Sequence, residues 1–107
     1  MYGGFKMIDR RQFERFNCSL DTVVIDKHGN ECDAIIRNVS LHGIGVEIYA
    51  NLEYSIGDIM QIYIVDNIFV NMKIIRKNNT ESRNWYYGLE GDDMDQQNMD
   101  RILLLAN

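Results

Sequence analysis

The sequence has no proline, only two cysteines, and no apolar run long enough to cross a membrane. Because proline is absent, no candidate strand has to be moved to a sheet edge for want of a backbone donor. Two cysteines are too few for a disulfide framework, and their spacing is not that of a metal site. Together with the absence of a secretory leader, these features predict a cytoplasmic protein with free thiols.

The first hairpin expected from the sequence would keep the two cysteines apart. A turn at Gly29 and Asn30 places Cys32 opposite Lys27. Cys18 then lies about 30 Å away along the ladder, at roughly 3.3 Å per residue. We therefore expect no disulfide between the two cysteines.

Positive charge is scarce overall but concentrated near the start of the chain. The sequence contains 16 acidic and 11 basic residues, which gives a net charge of −5. Residues 1–15 hold four basic and two acidic side chains, so this segment carries +2 and the remainder −7. The acidic balance argues against binding of long nucleic acids, which requires a broad basic face. A small basic cluster on an acidic domain suits a small anion better.

The chain is rich in segments of β type. Its hydrophobic content of 46% in 107 residues supports a single core and a single domain. Six segments have the period of two, or the β-branched composition, that is typical of strands, and polar turns separate them. These segments are Phe16–Lys27, Glu31–Val39, Ile44–Ile48, Asp58–Asp66, Ile68–Lys77 and Trp85–Gly91. The pattern predicts an all-β barrel or sandwich.

Helical periodicity occurs only near the end of the chain. Met99, Ile102 and Ala106 recur at helical spacing. Asp93 and Gln96 have the spacing of a capping box, which predicts the start of a helix. We expect this single helix to close the barrel.

The basic cluster contains the stretch RRQFER, in which Arg11 and Arg15 are four residues apart and Arg10 adjoins them. One interpretation is a solvated arm, or a helical turn in which Glu14 balances the charge. The other is anion capture, because a guanidinium fork binds phosphate oxygens, or O6 and N7 of guanine, in pairs. The preceding MYGGFK is short, charged and glycine-containing, so we expect an arm that is mobile without a ligand.

The stretch IIRNVSLHGIGVEI, residues 35–48, interrupts two strand sequences with residues that strands normally avoid. The period of two places Asn38 on the same face as Ala34 and Ile36. The plainest interpretation is a turn in which Gly43 supplies a positive φ. Alternatively, Asn38 and Ser40 bond a ligand from the end of a strand, and Gly43 lets that ligand approach the backbone.

Other polar and aromatic residues give weaker signals. Trp85 and the two tyrosines after it are typical of a core or a barrel rim, although they also raise the alternative of an RNA-binding barrel. His28 and His42 lack the spacing of a metal site. No nucleophile–base pair, phosphate loop or zinc signature is present, so the sequence does not predict an enzyme.

Taken together, the two polar segments resemble the two-part signature of the PilZ domain family. The signature residues are Arg11-x-x-x-Arg15 followed by Asn38-x-Ser40-x-x-Gly43. The stretch YYGLEG, residues 86–91, resembles a late strand of the family, and the likeness covers residues 9–107. It implies a small six-stranded antiparallel β-barrel with one C-terminal α-helix, residues 16–107, and a flexible N-terminal arm, residues 1–15.

The resemblance also implies a receptor for the bacterial second messenger cyclic di-GMP, with no further cofactor. In this likeness the arginines grip guanine edges and phosphates from the arm, while Asn38 bonds a guanine edge beside Ser40. The implied ligand-binding residues are Arg10, Arg11, Arg15, Asn38, Ser40 and Gly43.

We therefore expect a cytoplasmic receptor or adaptor module whose arm becomes ordered when the ligand binds. From a length of 107 residues we expect no attached effector domain. The output is then expected to pass to a separate partner protein, and the family implies motility or surface-attachment machinery. The alternative is a PilZ-like adaptor that mediates protein interactions and does not bind nucleotide.

Overall fold

The computed structural model describes residues 14–107, so the predictions for Arg10, Arg11 and the arm before Glu14 lie outside the described residues. Within this range the elements are β1 (Phe16–Ile25), β2 (Glu31–Ser40), β3 (Gly43–Ile48), β4 (Ile59–Val65), β5 (Ile68–Asn79), β6 (Trp85–Glu90) and α1 (Gln96–Leu105). The strands form a closed antiparallel barrel in the order β1-β2-β3-β6-β5-β4. The predicted six-stranded barrel with one C-terminal helix is confirmed.

The hairpin between β4 and β5 follows from the backbone preferences of its two turn residues. Asp66 and Asn67 have φ angles of 49° and 63°. Positive φ at both central residues gives a turn whose twist matches that of the flanking strands, and Asn and Asp tolerate this conformation. The predicted strand segments Asp58–Asp66 and Ile68–Lys77, which only Asn67 separates, thus form the two arms of a tight hairpin.

The hairpin between β1 and β2 has a different register from the one predicted. Val24 pairs with Cys32, so Cys32 does not lie opposite Lys27. The Asp26 carboxylate accepts hydrogen bonds from the backbone N–H groups of two residues in the following loop, each at 2.8 Å. This loop comprises residues 26–30, which belong to neither strand. Both cysteines are nevertheless free thiols.

The strands direct alternate side chains into one apolar core. Ile44, Val46 and Ile48 of β3 are at most 1% exposed, as their period of two predicts. Met94 and Ile102 are fully buried and pack the helix and the segment before it onto this core. Because such interiors are close-packed, the outward-facing residues of neighbouring strands hold fixed relative positions.

A β-bulge in β2 changes the direction of one polar side chain. Ile36 and Val39 are both fully buried although they lie three residues apart, and the register with β3 shifts between Ile36 and Asn38. The extra residue turns Asn38 away from the core. The prediction that Asn38 shares a face with Ala34 and Ile36 is therefore wrong.

The N-cap of the helix lies two residues after the predicted one. Its N-cap is Asp95, whose carboxylate accepts the Asn98 backbone N–H at 2.8 Å. Asp93 instead accepts the backbone N–H of Asn71 at 2.9 Å, so it is not available to cap the helix. Nothing helical in residues 14–107 combines the length and apolarity that a membrane crossing needs.

Asn107 is hydrogen-bonded to the first strand. A bulge between Asn17 and Leu20 interrupts the pairing of β1 with β2. There the Ser19 N–H donates to the Asn107 carbonyl and the Asn107 N–H donates to the Ser19 carbonyl, both at 3.0 Å. These two bonds hold the segment after α1 against the start of β1.

Candidate functional site

Arg15 joins the two polar segments at the C-terminal end of β2. It directly precedes β1, in which Asn17 pairs with Asn38. Its guanidinium donates to the Asn38 side-chain oxygen from Nη2 at 2.7 Å and from Nε at 3.2 Å. Its Nη1 also reaches the Ser40 hydroxyl oxygen at 3.5 Å. Residues separated by more than twenty positions in sequence thus form one polar cluster.

Asn38 also contacts a strand that its sequence segment does not indicate. Its side-chain N–H donates to the Tyr86 hydroxyl oxygen at 3.0 Å. Tyr86 lies on β6, which is separated from β2 by β3. The contact passes over Gly45, the β3 residue that pairs with Asn38. Three neighbouring strands therefore contribute to the cluster.

Gly43 contributes by leaving space beside Ser40. The positive φ of this turn belongs to His42, at 70°, so the prediction of a positive φ at Gly43 is wrong. A Cβ on Gly43 would lie 2.7 Å from the Ser40 hydroxyl oxygen and 3.3 Å from Arg15 Nη1. The missing side chain provides the room in which Arg15 reaches Ser40.

His42 connects this turn to the segment that leads into the helix. Its Nδ1 lies 2.8 Å from the Met94 carbonyl oxygen, and its own carbonyl accepts the Gly91 N–H at 3.0 Å. These two contacts hold the turn beside Gly43 against the segment between β6 and α1.

The cluster has the chemistry of an anion site. Asn38 and Ser40 are uncharged, and no carboxylate among residues 14–107 forms an ion pair with Arg15. Within this range the guanidinium of Arg15 thus has no carboxylate that neutralises its charge. Its planar fork suits phosphate oxygens or the O6 and N7 atoms of guanine. Over the same range no group of three His, Cys, Asp or Glu side chains could hold a metal ion.

The structure brings Arg15, Asn38, Ser40 and Gly43 together, as their joint prediction as a site requires. Arg10 and Arg11 precede the described residues. Sequence analysis did not connect Tyr86 or Gly45 with the cluster. The pairing of β3 with β6 brings them to the cluster, and this pairing cannot be predicted from either segment alone.

The aromatic residues near Trp85 take part in contacts within the barrel. Lys77 Nζ lies 4.9 Å from the centroid of the Trp85 ring and donates to the Tyr54 carbonyl oxygen at 2.7 Å. Tyr87 is fully buried. Base stacking needs an accessible ring face, so this arrangement gives little support to the RNA-binding alternative.

Comparison with known proteins identifies the family. The family model described as the PilZ domain matches residues 9–106, and the chain belongs to this family. PilZ domains are receptor and adaptor modules, and the family is one of cyclic di-GMP receptors. The resemblance deduced from the two polar segments is confirmed.

A solved structure has the same fold. The structure of the Bacillus subtilis inhibitor of motility, MotI/DgrA, matches 91% of this chain with a TM-score of 0.69 and 22% sequence identity. The chain spans 49% of the length of that structure. At this level of identity the likeness establishes the fold alone. A search among curated proteins gave no match.

Proposed function

We propose that this PilZ domain binds cyclic di-GMP through Arg15, Asn38 and Ser40, and that Arg10 and Arg11 complete the site from the preceding segment. The observation that carries the proposal is the 2.7 Å hydrogen bond between Arg15 Nη2 and the Asn38 side-chain oxygen, which joins the two signature segments. Membership of the PilZ family supports the choice of ligand.

The chemistry of the ligand matches the groups in the cluster. Cyclic di-GMP carries two phosphates and two guanines, and each guanine presents O6 and N7 acceptors. The Arg15 fork can serve either kind of acceptor. Gly43 and Gly45 leave the room in which Arg15 meets Ser40 and Tyr86 meets Asn38, so the polar groups offered to the ligand lie close together.

Binding is expected to change the contacts of Arg15. In the structure both Nε and Nη2 donate to Asn38. Ligand acceptors compete with the Asn38 oxygen for these donors, so Arg15 exchanges an internal bond for bonds to the ligand. The ordering of the arm costs free energy, and charge-assisted bonds must exceed that cost. We propose that the ordered arm forms the surface that a partner recognises.

The output of the receptor is proposed to act through a separate protein in the bacterial cytoplasm, without catalysis by this domain. MotI/DgrA is named as an inhibitor of motility, which supports motility machinery as the class of partner. That chain is about twice as long as this one, so an effect on motility is part of the proposal for this domain.

A second candidate function is that of an adaptor that does not bind nucleotide. The observation in its favour is that polar groups of the cluster already bond one another. Asn38 accepts two bonds from Arg15 and donates one to Tyr86. A ligand that uses the same atoms must displace these bonds, whereas an adaptor leaves them in place.

Isothermal titration calorimetry with cyclic di-GMP separates these candidates. We expect saturable binding by tens of micromolar ligand, with a stoichiometry that counts ligand molecules per chain. Arg15→Ala should lower the affinity at least tenfold, because a hydrogen bond from a charged group contributes about 1.5–3 kcal/mol. Arg83→Ala is the matched control. Arg83 is exposed in the loop before β6, whereas Gly43 pairs with Glu90 at the other end of that strand.

Two results would contradict the proposal. Absence of binding heat from the folded wild-type domain would reject the receptor and leave the adaptor. Unchanged affinity in both Arg11→Ala and Arg15→Ala would show that the ligand binds elsewhere. Circular dichroism of each variant verifies that the barrel is intact.

A further inference from the structure

We infer that Tyr86 is a positioning residue for the Asn38 side chain, and that Gly45 is the gap through which the two side chains meet. Tyr86 accepts a hydrogen bond from Asn38 Nδ2 at 3.0 Å. The two residues lie on β6 and β2, which are not neighbours in the barrel. Contact between them requires that the intervening strand leave its outer surface open at that point.

Gly45 meets this requirement sterically. A Cβ at this position would overlap the Tyr86 hydroxyl oxygen and lie 2.6 Å from Asn38 Nδ2 and 2.8 Å from Asn38 Oδ1. All of these atoms are at the ends of side chains, so they can move without disturbing the strand pairing. An alanine at position 45 would therefore separate Tyr86 from Asn38 and leave the barrel closed.

Together, Arg15 and Tyr86 fix the orientation of the Asn38 amide. Arg15 has only donors, so the amide oxygen must face it. The amide nitrogen then faces Tyr86, whose hydroxyl oxygen accepts its proton. Exchange of the amide oxygen and nitrogen would break both bonds from Arg15, because the amide N–H groups would then face a donor, and this gives the side chain one preferred orientation.

Tyr86 becomes more important when a ligand competes for Arg15. Among the described residues, Arg15 and Tyr86 are the hydrogen-bond partners of the Asn38 side chain. If Arg15 turns to the ligand, Tyr86 still holds the amide in place. A side chain that is already oriented loses less conformational freedom on binding, which favours affinity. The effect on affinity rests on the proposed function, whereas the orientation of Asn38 does not.

The first test uses the free protein and needs no ligand. NMR spectra of wild type and Asn38→Ala identify the side-chain amide resonances of Asn38. We expect these resonances to shift in Tyr86→Phe and Gly45→Ala. Tyr63→Phe is the control, because the Tyr63 hydroxyl accepts the Asn67 N–H in the β4–β5 turn. Unchanged Asn38 resonances in Tyr86→Phe would overturn the inference.

The second test is a double-mutant cycle measured by calorimetry with cyclic di-GMP. Tyr86→Phe should lower affinity about threefold to tenfold in the wild-type background, the effect of one hydrogen bond. It should have no further effect in the Asn38→Ala background, because a positioning residue acts through Asn38. An equal loss in both backgrounds would reject that role. If wild type does not bind the ligand, the proposed function fails, and the NMR result alone decides the role of Tyr86.

Discussion

Gly43 and Gly45 give the candidate site its shape for steric reasons. The left-handed turn beside them is formed by His42, and Gly43 and Gly45 are strand residues of β3. Each leaves a space that two polar side chains from elsewhere in the fold enter. Substitution at either position is therefore expected to act on side-chain placement more than on backbone conformation.

Gly43→Ala should destabilise the domain through one identifiable contact. The new Cβ would lie 2.7 Å from the Ser40 hydroxyl oxygen, whereas the other atoms near it are at 3.3 Å or more. We expect a loss of about 1–2 kcal/mol in the free energy of unfolding, the usual cost of overpacking. Urea denaturation measures this loss.

Ser40→Ala removes the atom with which the new Cβ collides. The combined Gly43→Ala and Ser40→Ala variant should thus be more stable than the sum of the two single effects. Effects that add to within about 0.5 kcal/mol would show that the two positions are not coupled.

The strands could be predicted because each one carries its own pattern. In β3 the alternation of isoleucine and valine with other residues is sufficient to identify both the strand and its buried face. The outward direction of Asn38 could not be predicted, because it depends on one extra residue in β2 relative to β3. The participation of Tyr86 likewise depends on the pairing of β3 with β6, two strands that are not adjacent in sequence.

The helix start illustrates a choice between two local possibilities. Asp93 and Asp95 both precede the helical pattern, and either carboxylate could cap it. A long-range contact decides, because Asp93 accepts the backbone N–H of Asn71. The sequence therefore predicts the helix but not its first residue.

Asp95→Ala should destabilise the domain by about 1 kcal/mol, because it removes the acceptor for the Asn98 N–H at the first turn of α1. Asp92→Ala is the control, since the Asp92 side chain is fully exposed and does not cap the helix. Thermal unfolding should give a lower midpoint only for Asp95→Ala. Equal midpoints for the two variants would contradict the assignment of Asp95 as the cap.

Glu47 joins distant parts of the barrel through one carboxylate. It accepts the Asn84 side-chain N–H at 2.7 Å and the Arg37 Nε at 2.9 Å. The hydrogen bond from Asn84 and, next, the bond from Arg37 hold the pKa of Glu47 below its ordinary value of 4.5. Because the pKa is lower in the folded state, the ionised carboxylate stabilises the domain above pH 4.5, and this stability is lost as the pH falls through the lower folded value.

Glu47→Gln should therefore reduce the free energy of unfolding most at pH 7. The difference from wild type should narrow as the pH falls below 4.5 and through the lower pKa of the folded state, where the wild-type carboxylate becomes protonated. Urea denaturation across this pH range measures the difference. Asn84→Ala removes the largest cause of the lowered pKa and should weaken the pH dependence. A difference that stays constant with pH would show that the charge on Glu47 does not contribute.

The two hydrogen bonds between Ser19 and Asn107 have a consequence for biosynthesis. Arg15 and Ser19 are synthesised well before Tyr86 and Asn107. A nascent chain therefore holds only part of the polar cluster until β6 has emerged, and Ser19 lacks its backbone partner until Asn107 has been made. Since domains generally fold as units during synthesis, the complete polar cluster is expected to form late and in a single step.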